Sequence, residues 1–357
     1  MANKLNLENW VCPLPLKNYP TVVMGHGSGG KMMNDLIQHL FLPAYNNKSL
    51  NQMGDSAVLN LSGLGEGAGR LAFSTDSFVV SPLFFPGGNI GELAVHGTVN
   101  DLAMVGAKPL FLSVGYILEE GLPMETLGKI TESLANACEL AGVQMVTGDT
   151  KVVHKGQGDG IYINTSGIGL IPGNIDIGPT LAKVGDAVIV NGTMGDHGMA
   201  VLSVREGFEF ESVIESDTAA LNGLVDTILE VTKDVHCLRD ATRGGMVAAL
   251  NEIANSSNIG IEFDEDLVPV NPAVHSACEF LGLDPFYVAN EGKMIVIVPE
   301  EQAGSVIEVM RQHPLGKNAV QIGRIVEDHP KMVLAKTGIG GMRIVDWPTG
   351  ELLPRIC

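Results

Sequence analysis

Two periodicities of apolar and polar residues follow one another along this chain, and together they predict a mixed fold. Apolar side chains three or four positions apart, which form one face of a helix, occur at residues 32–41, 123–142, 219–232, 245–254, 272–281 and 300–312. Short apolar runs or alternating patterns predict strands at residues 55–61, 71–76, 110–118, 144–147, 161–170, 187–190, 259–263, 294–298 and 320–326. The predicted fold class is therefore α+β.

Residues 90–105 differ from the other predicted helices because nearly all of their side chains are apolar or small, which indicates a helix buried on every side. Asn100 and Asp101 nevertheless lie within it, and buried polar side chains need partners. Nearer the start of the chain, the helix at residues 32–41 is predicted to end before Pro43, which cannot donate a backbone hydrogen bond.

The interval at residues 171–179 is the most linker-like part of the chain, because prolines and glycines are concentrated there. A length of 357 residues also suits two domains. We therefore predict an N-terminal extension (1–25), a first α+β domain (26–172), a second α+β domain (173–345) and a C-terminal arm (346–357). Pro348 and Pro354 predict that this arm is extended and mobile.

Charge and cysteine content narrow the possible partners and compartments. A formal net charge of -19, from 41 acidic and 22 basic residues, repels nucleic acid and anionic lipid, so neither is expected as a partner. Pro13, Pro15 and Pro20 interrupt the start of the chain, so neither a signal peptide nor a membrane span is predicted and a cytoplasmic location is expected. The five cysteines contain no C-x-x-C pair, which argues against a disulfide framework and a zinc knuckle.

A glycine-rich loop at residues 25–31 leads into the first predicted helix, and such a loop presents unpaired backbone N–H groups to an anion. It satisfies the G-x-x-x-x-G-K pattern of a P-loop, yet Met32 stands where a Ser or Thr hydroxyl should hold Mg²⁺. The loop is either a phosphate site or a flexible entry to the helix, and the pattern leaves both open.

Five aspartates share one context, because each lies at or beside the end of an apolar element and close to Gly, Ser or Thr. They are Asp55, Asp76, Asp101, Asp149 and Asp240. Each one alone is more typical of a turn or a helix cap. Together with the glycine-rich loop they describe a metal–nucleotide site, because Mg²⁺ is shared between Asp side chains and phosphate oxygens.

The chain ends on a cysteine, Cys357, at the tip of the predicted arm. Mobility is greatest and burial is least expected at a chain terminus, so this thiol can reach into another site. The sequence does not give the resting position of the arm, inward or outward. The terminal position can also be accidental, and the arm alone does not separate the two interpretations.

Several short runs carry a family resemblance that extends from residue 26 to the last residue. The runs are HGSGG (26–30), FSTDS (73–77), PGGNIG (86–91), TGDTKVV (147–153), RDATRGG (239–245), ANEGK (289–293) and PRIC (354–357). They resemble the HypE family of hydrogenase maturation factors, in the superfamily of aminoimidazole ribonucleotide synthetase, thiamine-phosphate kinase and selenophosphate synthetase. The resemblance implies a two-domain PurM-like α+β fold and a homodimer in which N-terminal-domain strands pair into a barrel.

The resemblance also implies a reaction, with ATP and Mg²⁺ as the expected cofactors. In the family, the carbamoyltransferase HypF loads a carbamoyl group onto the terminal cysteine, here Cys357. The arm then enters the ATP site, where the carboxamide oxygen is phosphorylated and leaves as phosphate. The product is a thiocyanate on Cys357, whose cyanide passes through the HypC–HypD complex to the iron of a [NiFe] hydrogenase.

Residue roles are carried over from matching motifs. The expected metal ligands are Asp55, Asp76, Asp101, Asp149 and Asp240. The expected ATP contacts are Ser28, Gly29, Gly30, Asn100, Thr150, Lys151 and Thr242. Beside Cys357, Lys151 and Glu291 are expected to orient the carbamoyl group and accept its protons, although outside the family context they would be a surface lysine and a turn carboxylate. Superfamily relatives often have a double Asp where this chain has Asp55 and Ser56, so Asp55 is the weakest transfer.

Three other functions compete with this prediction. A selenophosphate synthetase would use a reactive Cys and Lys near the N-terminus, and Cys12 and Lys17 could be mistaken for them, but the glycine loop lacks a Cys. A P-loop kinase is weakened by Met32. An acidic assembly scaffold, whose arm merely docks a partner, would not need five such aspartates.

Overall fold

The structure of the protein, a computed structural model, describes residues 21–27, 29–45, 47–60, 69–208, 212–348, 353 and 355–357. Ser28, Cys12, Lys17 and Pro354 lie outside the described residues. The described strands are β1 (Ala57–Asn60), β2 (Arg70–Phe78), β3 (Phe84–Phe85), β4 (Gly88–Asn89), β5 (Lys108–Glu119), β6 (Gln144–Val153), β7 (Ile161–Ile171), β8 (Asp186–Val190), β9 (Cys237–Asp240), β10 (Gly260–Asp264), β11 (Met294–Pro299), β12 (Val320–Val326), β13 (Val333–Lys336) and β14 (Met342–Ile344).

The helices connect these strands. They are α1 (Lys31–Leu36), α2 (Leu42–Tyr45), α3 (Ile90–Met104), α4 (Met124–Ala141), α5 (Asp196–Glu206), α6 (Asn222–Val231), α7 (Gly245–Ser257), α8 (Pro272–Leu281) and α9 (Glu300–Gln312). The prediction that the first helix ends before Pro43 is wrong, because α2 contains Pro43. A π-helical turn, Ile37–Phe41, precedes it, and this wider turn accommodates a residue that lacks an N–H.

The strands form two large sheets, one in each half of the chain. The first has the order β1-β2-β7-β5-β6 and the second the order β14-β13-β10-β12-β8-β11-β9, while β3 and β4 pair separately. The large sheets are antiparallel except for the pairs β5–β6 and β10–β13. The predicted α+β fold class is confirmed.

Helix α3 is the buried helix that the apolar run predicts. It begins with a capping box, in which the Asn89 side chain accepts a hydrogen bond from the Gly91 N–H at 2.8 Å and Glu92 accepts one from the Asn89 N–H at 3.0 Å. Among the described residues, no helix combines the length and the apolar character needed to cross a membrane.

One hydrophobic cluster joins the two halves of the chain. It includes Leu102 of α3, Leu224 of α6 and Val296 of β11, together with Ile175 and Ile177 from the interval predicted as a linker. The halves are therefore held in a fixed relation by a shared core. The domain boundary between residues 172 and 173 stays a prediction.

Local contacts explain where other predicted elements differ from the structure. Helix α6 begins at Asn222 and not at residue 219, because the Asn100 side chain binds the Ala219 carbonyl at 3.0 Å and the Leu221 N–H at 2.7 Å. Asp76 and Asp149 lie within β2 and β6, so the prediction that they stand at strand ends is wrong.

The resting position of the arm, which the sequence leaves open, is inward, because Cys357 is only 6% exposed. The Val79 N–H donates to the Cys357 carbonyl at 3.0 Å, and the Ser81 N–H donates to the Arg355 carbonyl at 3.2 Å. Ile356 packs into the hydrophobic cluster of the first half. The end of the arm is therefore docked inside the molecule.

Candidate active site

Both halves of the chain supply carboxylates to a cavity of about 230 Å³. Asp55 precedes β1, Asp76 lies in β2 and Asp101 lies in α3, whereas Asp240 ends β9 and Glu291 lies just before β11. The shared core places these elements against one another. The structure thus brings together four of the five predicted aspartates.

Three of these carboxylates form a tight cluster. One oxygen each from Asp55, Asp101 and Asp240 lies within 4.8 Å of the others. Burial raises the pKa of all three groups, that of Asp240 to about 6, and neighbouring carboxylates add to the effect. Several hard oxygen ligands that repel one another in a buried place fit a divalent cation such as Mg²⁺.

Two arginines that were not predicted border the carboxylates. Arg239 Nη1 lies 2.9 Å from Asp55 Oδ1, and the same guanidinium also pairs with Glu252. Arg243 Nη2 lies 3.7 Å from Asp76 Oδ1. Both arginines belong to the RDATRGG run, so the signal was present in the sequence although no role was assigned to them.

Glu291 faces the same cavity and is only 3% exposed. Its Oε1 has no hydrogen-bond partner among the described residues. Burial raises the pKa of this carboxyl well above its ordinary value, and Asp76 and Asp240 raise it further. A carboxylate of this kind is a stronger base than an exposed one and is free to accept a proton.

The Cys357 thiol also lines this cavity and lies within hydrogen-bonding reach of the Glu291 carboxyl. Burial raises the pKa of the thiol, and the adjacent Arg243 offsets only part of this effect. The thiol is therefore neutral in its docked position. It stands among the carboxylates as a group to be acted upon, and not as an ionised nucleophile.

The glycine-rich loop closes one side of the cavity. Gly29 lines it and has a φ of +75°, and a Cβ there would lie 2.5 Å from the Arg243 carbonyl oxygen. Gly30 lines a neighbouring cavity of about 410 Å³ that also includes Trp347. Thr242 lines the carboxylate cavity itself.

The remaining predicted residues lie elsewhere. The side chain of Asn100 is buried and bonded to the backbone of residues 219, 221 and 291, so it holds elements together. Asp149, Thr150 and Lys151 are exposed on β6, the outermost strand of the first sheet. Lys151 pairs with Asp149 there, and within one chain neither lines the cavity.

Comparisons with known proteins show the family to which the chain belongs. The family models for the N-terminal and C-terminal domains of AIR synthase related proteins match residues 53–171 and 183–335. The carbamoyl dehydratase HypE of Cupriavidus necator is 51% identical over 345 residues, which cover 97% of each chain.

Two solved structures are similar to this chain over most of its length. A HypE–HypF complex matches with a TM-score of 0.83 and 47% identity, covering 88% of this chain and 99% of the other. A HypE in complex with ATP matches with a TM-score of 0.79 and 45% identity, covering 94% and 100%. The predicted PurM-like fold and the family resemblance are confirmed. The chain belongs to the AIR synthase related proteins and, among them, to the carbamoyl dehydratase HypE family.

Proposed function

We propose that the protein is an ATP-dependent carbamoyl dehydratase, a hydro-lyase that acts on a carbamoyl group carried by its own Cys357. The observation that carries this proposal is the position of the Cys357 thiol, which lies in the cavity of Asp55, Asp101 and Asp240 and next to Glu291. The similar HypE that was solved in complex with ATP supports ATP as the nucleotide of this reaction.

The reaction converts an S-carbamoyl group and ATP into a thiocyanate, ADP and phosphate. The carbamoyl oxygen bonds to the γ-phosphorus as ADP leaves, and the nitrogen loses one proton to give a carbon–nitrogen double bond. The phosphorylated oxygen then departs with its bonding electrons, and loss of the second N–H proton completes the triple bond. Glu291 accepts protons from the nitrogen, because its carboxyl lines the same cavity as the thiol and its Oε1 is unpaired among the described residues.

Asp55, Asp101 and Asp240 would hold Mg²⁺, and Asp76 lies beside them in the same cavity. Such an ion neutralises phosphate charge when it is bound. Gly29, Gly30 and Thr242 supply the neighbouring surface for the nucleotide, while Arg243 adds a positive charge beside Asp76.

Loading and delivery of the group require the arm to leave the cavity. A buried neutral thiol is a poor nucleophile, so Cys357 receives its carbamoyl group in an outward position. The HypE–HypF complex supports HypF as the partner that loads it. The HypC–HypD complex would then accept the cyanide, and the reaction would take place in the cytoplasm.

In a homodimer, the predicted site residues that do not line the cavity within one chain would have a role. These residues are Asp149, Thr150 and Lys151. Apolar side chains are exposed on the first sheet, among them Phe73, Phe111, Ile168 and Leu170, and exposed apolar patches are typical of interfaces. We propose that a second copy covers this sheet and that the edge strand β6 carries the Asp149, Thr150 and Lys151 of one subunit to the cavity of the other. Lys151 would there orient the carbamoyl group and Asp149 would join the metal ligands.

Intact-protein mass spectrometry tests the proposed function. Full-length protein that is carbamoylated by HypF is mixed with ATP and Mg²⁺, and the adduct on Cys357 should lose the mass of one water. Omitting ATP should leave the adduct unchanged. ATP hydrolysis with an unaltered carbamoyl adduct would contradict the dehydratase.

A further inference from the structure

The segment at residues 216–218 lies between α5 and α6, outside the helices and strands, and contains none of the residues to which a role is given above. Its three side chains nevertheless reach three different elements of the molecule. The carboxylate of Asp217 has only 3% of its side-chain surface exposed. A buried polar segment of this kind is costly unless every group is paired.

Asp217 holds the turn that carries Glu291. Its carboxylate accepts hydrogen bonds from the Glu291 N–H at 3.2 Å and the Gly292 N–H at 3.0 Å, and it pairs with Lys293 Nζ at 3.0 Å. Burial acts to raise the pKa of Asp217, but the charge of Lys293 and the hydrogen bonds from Lys293 and the Glu291 N–H outweigh it and hold the pKa below its ordinary value. Three donors on one ionised carboxylate fix the turn while the Glu291 Oε1 stays unpaired.

Ser216 holds the arm through a histidine. His197 is fully buried, with Nε2 2.7 Å from the Ile356 carbonyl and Nδ1 2.8 Å from Ser216 Oγ. A carbonyl only accepts hydrogen bonds, so Nε2 carries the proton and donates to Ile356. Burial lowers the pKa of His197, so the ring is neutral and its Nδ1 accepts from the Ser216 hydroxyl. Ile356 directly precedes Cys357.

The first half of the chain anchors the same segment. The Ser216 N–H donates to the Pro86 carbonyl at 2.8 Å, and Thr218 Oγ1 is hydrogen-bonded to His96 Nδ1 at 3.0 Å. Gly87 has a φ of +84°, and a Cβ there would lie 2.7 Å from the Ser216 backbone nitrogen, so the two backbones approach closely. The segment therefore has little freedom to shift.

We propose that residues 216–218 form one positioning segment, which fixes the Glu291 carboxylate and the Cys357 thiol relative to each other during dehydration. Asp217 fixes the base, and the neighbouring Ser216 fixes the tethered group through His197. The same short segment of backbone therefore holds both the Glu291 carboxylate and the Cys357 thiol, although these two groups come from distant parts of the chain. This inference rests on the proposed dehydratase function.

Ser216→Ala and Ser216→Thr test the proposal in single-turnover experiments with full-length carbamoylated protein. Ser216→Ala removes the hydroxyl that orients His197 and should slow thiocyanate formation about tenfold, because small misplacements of reacting groups are costly. Ser216→Thr keeps the hydroxyl and should restore most of the rate. The affinity for ATP should stay near its wild-type value in both variants. Ser216→Ala should lower the melting temperature by about 1–4 °C, because it leaves Nδ1 of the buried His197 unpaired. Asp217→Asn, which weakens the hold on the Glu291 turn, provides a second slow variant.

The controls separate positioning from stability and from the proposed function. Ser305→Ala removes a hydroxyl bonded to the Gln302 carbonyl on α9 and should keep the wild-type rate. Wild-type rates in both Ser216→Ala and Asp217→Asn, or equal losses in Ser216→Ala and Ser216→Thr, would overturn the positioning segment. A wild-type protein that forms no thiocyanate would instead overturn the dehydratase itself.

Discussion

The buried carboxylates of the cavity and the exposed Asp149–Lys151 pair on β6 occupy the same kind of sequence context but opposite environments. Burial raises the pKa of Asp101 and Asp240. On the edge strand, hydrogen bonds from the Lys151 side chain and the Thr150 N–H lower the pKa of Asp149. An Asp beside Gly, Ser or Thr therefore marks a candidate residue, whereas its neighbours in space decide whether it is primed to bind a cation.

Removing the thiol from the buried region should have the largest effect. Cys357→Ala should abolish thiocyanate formation, because no group remains to carry the carbamoyl moiety, while ATP affinity measured by calorimetry stays within about twofold. Cys278→Ala removes a buried thiol elsewhere in the core and should keep the reaction. Loss of ATP binding in Cys357→Ala would show that the docked arm is part of the nucleotide site and not only a carrier.

Removing one charge from the buried carboxylates should weaken binding of the metal–nucleotide complex. Asp240→Asn should lower the affinity for ATP in the presence of Mg²⁺ by about 100-fold, because one of three converging ligands becomes neutral. Calorimetry with and without Mg²⁺ measures this. Asp328→Asn changes an exposed aspartate and should bind as the wild type does. Equal affinities of Asp240→Asn and the wild type for ATP with Mg²⁺ would show that the carboxylate cluster does not bind the metal ion.

The two regions should complement each other across a dimer if the edge strand serves the partner's cavity. Lys151→Ala and Asp240→Asn should each be inactive alone. A heterodimer of the two contains one cavity with both residues intact, so an equal mixture, after subunit exchange, should recover about a quarter of the wild-type activity. Activity measured before and after exchange checks this. Persistent inactivity in verified heterodimers would mean that Lys151 does not act in trans.

Patterns within a single segment predicted much of the fold, because they depend on local periodicity. Helix α3 and its polar pair Asn100 and Asp101 are an example, since an apolar run with two polar residues is visible in the sequence alone. Strand β9, which presents Asp240, was not predicted, because the four residues of Cys237–Asp240 contain no alternation of apolar and polar side chains.

Contacts between distant segments could not be predicted in the same way. The ion pair of Arg239 with Asp55 joins the two halves of the chain. The burial of Cys357 depends on the Val79 N–H, and the Ile356 carbonyl beside it depends on His197. The sequence contains each of these residues, but only the folded chain shows which of them meet. Family motifs therefore identified the chemistry of the arm without its docked position.

The smallest expected effect is on the stability of the folded protein. The pKa of Asp240 in the cavity is raised whereas that of Asp149 on β6 is lowered, so the two regions should change stability with pH in opposite directions. The folded-state pKa of Asp240 is about 6, above the ordinary value of 3.8, so the folded protein takes up a proton as the pH falls through 6 while the unfolded chain does not. Protonation removes the buried negative charge, so this contribution should make the metal-free protein more stable as the pH falls from about 7 to about 5. His96 and His197, whose pKa values are lowered, act in the opposite direction.

Comparison of variants isolates the contribution of Asp240 from those of the histidines. Calorimetric melting at about pH 7 and about pH 5.5 should show that Asp240→Asn raises the melting temperature more at the higher pH, by about 1 °C relative to the lower pH. Asp149→Asn should leave the pH dependence of the wild type unchanged in this range, because the lowered pKa of Asp149 places its titration below it. Identical pH dependence in Asp240→Asn and the wild type would mean that the buried cluster is already neutralised, by a bound cation or by proton sharing. Adding Mg²⁺ to the wild type should remove the difference, since the cation favours the ionised carboxylate.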